Sequence, residues 1–131
     1  MNVLVTGGGG FLGSAICREL AGLGHRVTAY QRSPAPHLAD CGVEFVTGDI
    51  CDRERLAATA KGCDAIVHTA ARAGIWGEPA DYHRINVEGT RSVVAACRTA
   101  GVGLLVHTSS PSVVHSGEDI EGGDESLPLA T

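Results

Sequence analysis

The sequence has no Cys-x-x-Cys pair, no cluster of lysine and arginine, and a single lysine, Lys61. No apolar run approaches the ~18 residues that a membrane span needs, so no membrane-crossing segment is expected. With 15 acidic against 10 basic residues and a net charge of −5, the chain lacks the footprint of a protein that binds a phosphate backbone. Nucleic acid is therefore not an expected partner. The five cysteines, Cys17, Cys41, Cys51, Cys63 and Cys97, are odd in number and spaced unlike metal ligands. They read as reduced, mostly packed thiols, and no metal site is expected. Met1-Asn2-Val3-Leu4-Val5-Thr6 has neither the basic start nor the long apolar stretch of a signal peptide, which points to a soluble cytoplasmic protein. No internal repeat or linker divides the 131 residues, which fit one domain with one core.

Glycine is abundant instead, with 18 residues against a usual share of ~7%. Short β-branched or apolar runs, Val3 to Thr6, Arg26 to Gln31, Val43 to Thr47, Ala65 to His68 and Leu104 to Thr108, alternate with stretches of helical spacing. That alternation builds a parallel sheet with helices on its faces, an α/β fold of about five strands. Leu12, Ile16, Leu20 and Leu23 recur at helical intervals, and Gly24 follows where a helix end favours a left-handed residue. Asp52 is placed to cap a helix running to Lys61, with Glu54 in its first turn and Gly62 past its end. A longer helix is expected from about Pro79 to Ala100, with Tyr82, Ile85, Gly89, Val93, Ala96 and Ala100 on one stripe and Gly101 as its stop. Tyr82 and Val93 read as core residues. Only the tail from Ser116 to Thr131 looks irregular.

The run Thr6-Gly7-Gly8-Gly9-Gly10-Phe11-Leu12-Gly13 lies directly between the first strand and the first helix. In that position glycines let a backbone turn tightly and approach a pyrophosphate, whose charge meets unpaired N–H groups at the helix N-terminus. About 20 residues further on, an acidic residue after the second strand would bind ribose hydroxyls and repel a 2′-phosphate. Here the segment is Tyr30-Gln31-Arg32-Ser33. Neutral Gln31 removes the repulsion and Arg32 offers a guanidinium suited to phosphate, so NADP(H) is favoured over NAD(H). The plainer reading of Arg32 is a solvated surface residue.

The spacing Gly7, Gly10, Gly13 after Thr6 resembles the Thr-Gly-x-x-Gly-x-x-Gly motif of the extended short-chain dehydrogenase/reductases, related to the NAD-dependent epimerases and dehydratases. Gly48-Asp49-Ile50, His68-Thr69-Ala70-Ala71, Asn86-Val87-Glu88-Gly89-Thr90 and Thr108-Ser109-Ser110 resemble further motifs of that family, in its order. The resemblance implies a Rossmann-like doubly wound sheet and an NAD(P)-binding domain over residues 1 to 131. It implies cofactor contacts from Thr6, Gly7, Gly10, Phe11, Leu12 and Gly13 of the loop. Gln31 and Arg32 would serve the ribose end, Asp49 and Ile50 the adenine, and Thr69, Ala70 and Ala71 the central part, with Asn86 a further contact from the family's long central helix. More ordinary roles stand beside these. Asp49 can cap a turn, Asn86 can satisfy backbone groups near the fourth strand, and His68 and His107 read as strand-end residues.

Ala70 to Gly77 and Thr108 to His115 resemble, more narrowly, the reductases of 2-alkyl-3-oxoalkanoic acids and the 3β-hydroxysteroid and sterol-carboxylate dehydrogenases. These imply a large apolar substrate carrying a secondary alcohol or ketone. Trp76, the only tryptophan, would line an apolar pocket or serve as a lid. Nucleotide-sugar epimerases commonly carry a tyrosine where Val114 and His115 stand, which counts against a sugar. In the family's mechanism a tyrosine is the acid/base, a lysine four residues later lowers its pKa, and a Ser/Thr hydroxyl polarises the carbonyl. Ser110 maps to that hydroxyl, with Ser109 and Ser112 as neighbouring alternatives. No Tyr-x-x-x-Lys occurs in this sequence, so the chain is expected to be an incomplete domain, inactive alone, from a protein that is a homodimer at full length. A nucleotide-sugar epimerase or dehydratase, and a non-catalytic dinucleotide-binding module, are the competing readings. Asp124-Glu125-Ser126-Leu127-Pro128 resembles the segment that family members place shortly before the tyrosine, which favours the enzyme over the module.

Overall fold

Valines, isoleucine and alanine on consecutive strand positions are what a sheet covered on both faces requires, and the central strands show it. The computed structural model describes residues 1–117 and 119–130. Five strands, β1 (Asn2–Thr6), β2 (Arg26–Gln31), β3 (Glu44–Thr47), β4 (Ala65–His68) and β5 (Leu104–His107), form one sheet in the order β3-β2-β1-β4-β5. Every pairing is parallel. The strands agree with the sequence reading to within a residue at each end: β1 begins one residue earlier at Asn2, β3 one later at Glu44, and β5 stops at His107.

On one face Val3, Val5, Val27, Ala29 and Ala65 meet Cys17 of helix α1 (Phe11–Gly22) and fully buried Leu38. On the other, Leu4, Tyr30 and Ile66 meet Leu56 of α2 (Arg53–Ala60) and Val93 and Ala96 of the central helix. Each fully buried leucine of these two layers contributes about 1.5 to 3 kcal/mol relative to exposure. Gly24 and Gly62 follow α1 and α2 with φ of +83° and +76°, as their spacing predicted. Asp52 caps α2, its Oδ1 accepting the Arg55 N–H at 3.0 Å. The β2–β3 crossover, where the sequence reading named no element, holds a 3-10 turn over Pro36–Cys41 that carries Leu38 inward.

The helix expected from Pro79 to Ala100 is not uniform. A short α3 (Pro79–Tyr82) leads into a π-helical stretch, His83–Glu88, and then α4 (Gly89–Ala100). A 3.6-residue stripe cannot reveal an extra residue in one turn, and such widenings concentrate where a side chain must be re-aimed. Tyr82 is consequently half-buried rather than a core residue, whereas Val93 is fully buried. After a 3-10 turn at Pro111–Val114, no helix or strand forms among the described tail residues. Glu118 and Thr131, part of the expected irregular tail, lie outside the described residues.

Candidate functional site

The register aligns Tyr30, Thr6, His68 and His107 as one row across the carboxyl ends of β2, β1, β4 and β5. Ligands of open α/β sheets bind just beyond such a row, where the chain crosses from one face of the sheet to the other. A groove of about 340 Å³ lies there, walled by the glycine loop, the end of β2, the Gly48–Ile50 segment and the residues after β4.

The loop glycines serve different ends. Gly7 has φ +71°, and a Cβ on it would lie 2.8 Å from the Ala70 nitrogen, so it lets the loop rest against the β4 segment. A Cβ on Gly13 would collide with the Gly7 carbonyl, so that glycine lets α1 sit on its own loop. Gly7 and Gly10 both line the groove, but a Cβ on Gly10 would meet only the Gly7 oxygen, at 3.2 Å. Gly10 is also the N-cap of α1, which has no side-chain cap and no acidic residue in its first turn. Its free N–H groups and positive dipole end therefore remain available to an anion. Phe11 and Leu12 sit on the first turn, 98% and 46% exposed, with side chains outside the groove wall.

At the end of β2, the side-chain nitrogen and oxygen of Gln31 are both buried and without a partner. An amide left so is costly unless a ligand or water satisfies it. Arg32 beside it is exposed at the groove mouth and forms no ion pair among the described residues. The Gly48–Ile50 wall of the groove is more committed. Asp49 Oδ1 accepts the Cys51 N–H at 2.8 Å, and Arg84 Nη1 lies 3.0 Å from Oδ2. The Cys51 backbone bond, then Arg84, hold the Asp49 carboxyl below the usual carboxylate range. Ile50 is buried under Gly89, where a Cβ would sit 2.8 Å from its Cγ2.

Thr69 donates its hydroxyl to the Thr6 carbonyl at 2.7 Å, and Ala70 and Ala71 line the groove. Asn86, on the π-helical stretch, does not reach the groove. Its amide brackets the Arg72 backbone, Oδ1 accepting the N–H at 2.8 Å and Nδ2 donating to the carbonyl at 3.0 Å. Thr6 and His68 are buried side by side. His68 Nδ1 lies 2.7 Å from Thr6 Oγ1, its Nε2 lies 3.1 Å from Thr90 Oγ1, and its ring stacks on His107 with centroids 5.3 Å apart. Burial, and secondarily His107, lower its pKa to about 4.

Ser110 stands one strand beyond the groove, at the start of the 3-10 turn, exposed and with its hydroxyl 2.8 Å from that of Ser112. Trp76, expected to line an apolar pocket or serve as a lid, is 88% exposed. Its loop is held from below. The Tyr82 hydroxyl lies 3.1 Å from the Gly74 carbonyl and 3.0 Å from that of Trp76, and the Arg72 guanidinium covers the Tyr82 ring at 5.1 Å. The sequence reading gave no role to Arg72, Arg84 or Thr90 and placed Tyr82 in the core; Arg72 and Thr90 lay within recognised stretches, Arg84 and Tyr82 outside them.

A parallel sheet in this order, with a glycine loop opening a groove at its carboxyl edge, defines a Rossmann-type dinucleotide-binding domain. The model of the NAD dependent epimerase/dehydratase family matches residues 3–131, and the chain belongs to that family. It is 48% identical to a 2-alkyl-3-oxoalkanoate reductase of Stenotrophomonas maltophilia over 98% of its own length and 39% of that protein's. A 3-beta-hydroxysteroid dehydrogenase of Mycolicibacterium neoaurum is 42% identical over 98% of the chain and 37% of the relative. The crystal structure of a Stenotrophomonas UDP-glucose-4-epimerase with bound NAD and formylated UDP-arabinopyranose superposes with a TM-score of 0.89 at 36% identity, over 99% of this chain and 43% of that one. The chain thus spans well under half the length of these relatives. Among the described residues, no helix is long and apolar enough to cross a membrane, and no group of side chains suits a metal ion.

Proposed function

We propose that this chain is the nicotinamide-dinucleotide-binding part of an oxidoreductase that moves hydride between the cofactor and a secondary alcohol or ketone of an apolar substrate. The observation that carries the reading is the groove's pair of polar features without protein partners among the described residues, the uncapped α1 N-terminus at Gly10 and the Gln31 amide. They fit a pyrophosphate and a ribose, one asking for N–H donors and the other for a group that both donates and accepts. Bound there, the dinucleotide supplies the hydride donor or acceptor. The chain's residues would bind and orient it: Thr6, Gly7, Gly10 and the first turn of α1 at the pyrophosphate, Gln31 and Arg32 at the ribose, Asp49 and Ile50 at the adenine. Thr69, Ala70 and Ala71 would form the floor. Asn86 would act through the Arg72 backbone, and Ser110 would donate to the substrate carbonyl.

The apolar substrate is favoured by the relatives' own names and by exposed Ile75 and Trp76, which stand 92% and 88% clear of the surface on the side of the sheet where ligands bind. The competing class, a nucleotide sugar, is that of the epimerase structures, at 36% identity against 48% for the oxoalkanoate reductase. A homodimer and a cytoplasmic location complete the proposal.

Gln31 carries no charge to repel a 2′-phosphate, and unpaired Arg32 is free to meet one, so NADP(H) is the preferred form. A charge-assisted contact of this kind contributes on the order of 1.5 to 3 kcal/mol. Fluorescence titration of the intact protein with NADPH and NADH tests both claims. Arg32→Ala should weaken NADPH by roughly tenfold or more and NADH little. Equal losses would return Arg32 to the solvated surface, and no binding of either dinucleotide would remove the central reading.

A further inference from the structure

Two threonines enclose His68, and their hydrogen bonds leave its ring one arrangement. The Thr90 hydroxyl spends its only proton on the Asn86 carbonyl at 2.7 Å, so toward His68 it can only accept. The proton must therefore sit on Nε2, 3.1 Å away. Nδ1 is then a bare lone pair, and it accepts the Thr6 hydroxyl proton at 2.7 Å, leaving Thr6 Oγ1 to accept weakly from the Ala70 N–H at 3.5 Å. Every link runs in one direction, from the end of β1 through β4 to the first turn of α4 and the Asn86 carbonyl. Asn86 in turn brackets the Arg72 backbone, which forms a wall of the groove.

We propose that His68 is a positioning residue which, as a neutral ring protonated on Nε2, ties the glycine-loop end of β1 to the helical turn bearing Asn86 and so fixes the Ala71–Arg72 wall. A second proton would set two donors against each other at Nδ1 and leave the Thr6 hydroxyl to find another acceptor in a buried place. Among the described residues, the one titratable side chain facing the ring is His107, stacked on it from β5; Thr6 on β1 and Thr90 on α4 are uncharged. Burial and this neighbour keep the ring neutral well below ordinary histidine titration. The bearing of the tie on nucleotide affinity rests on the function proposed above, whereas the tie itself does not.

Two amide replacements separate the two ring positions. Glutamine can place its nitrogen where Nε2 donates to Thr90, and asparagine can place its oxygen where Nδ1 accepts from Thr6. Hydrogen exchange followed by mass spectrometry on the intact protein reads the segment containing Arg72, whose N–H is bonded to Asn86. His68→Gln should keep that exchange within about twofold of the parent, while His68→Asn and Thr90→Val should speed it at least tenfold. NADPH affinity should follow the same order. Histidine ¹⁵N spectra near neutral pH should show His68 protonated on Nε2. A ring protonated on Nδ1, equal effects of glutamine and asparagine, or unchanged exchange in Thr90→Val would each overturn the proposal. Should both His68 variants fail to fold, the near-isosteric Thr90→Val decides the matter alone. Should the parent bind no dinucleotide, the functional reading fails while the exchange data still decide on the tie.

Discussion

A methyl group added at Gly10 and one added at Gly13 would meet different neighbours, although the two glycines share a loop. At Gly10, which lines the groove, it would meet only the Gly7 oxygen, a tight neighbour at 3.2 Å. At Gly13 it would strike the Gly7 carbonyl, and helix and loop would have to part. Gly10→Val should therefore abolish dinucleotide binding by calorimetry while the melting temperature changes little. Gly13→Ala should lower stability by about 1 to 3 kcal/mol, the usual cost of overpacking, measured by denaturant unfolding. The reverse pattern would mean that the open side of the loop has been misassigned. The sequence alone treats the two as one motif, because spacing records that a Cβ is forbidden without recording what forbids it.

At the scale of elements, the N-terminus of α2 is capped by one side chain, Asp52. Asp52→Ala removes the acceptor for the Arg55 N–H and should cost about 1 kcal/mol in a urea melt, with nucleotide affinity unchanged because Asp52 lies outside the groove wall. A loss of affinity instead would tie α2 to the site. The strands and α2 were legible because β-branched runs, an Asp cap and a terminal glycine act locally. The π-helical stretch was not. Its cause is long-range: Asn86 is bonded to Arg72 fourteen positions earlier, and Arg84 to Asp49 thirty-five positions earlier. Tyr82 was misread for the same reason, since its hydroxyl has carbonyl partners in a loop whose path no periodicity describes. Trp76 was noticed as chemistry, yet its exposure depends on that loop.

The whole molecule shows one sheet edge less covered than the rest. Parallel strands are normally buried on both faces, yet Leu104 and Val106 of β5 are each 49% exposed, and β5 pairs only with β4. Residues 1–131 expressed alone should self-associate, as light scattering would show. They should also fail to oxidise NADPH with a 3-oxo acid or ketosteroid, since the sequence holds no Tyr-x-x-x-Lys and general acid catalysis typically contributes 10² to 10⁴-fold. Turnover equal to that of a longer form reaching such a motif would refute the assignment. The strand order has a further effect, on the order of events in synthesis. Of these five strands the central one is made first, and its second neighbour follows only after three crossovers, with Thr6 and His68 separated by 62 positions. Until β4 arrives, one flank of β1 stands open and Thr6 has no ring to meet, so the nascent glycine loop cannot reach its final shape before β4 has been made. Such distant pairings close late and slowly, and a pause in translation before β4 would prolong the interval in which that flank can pair with another chain.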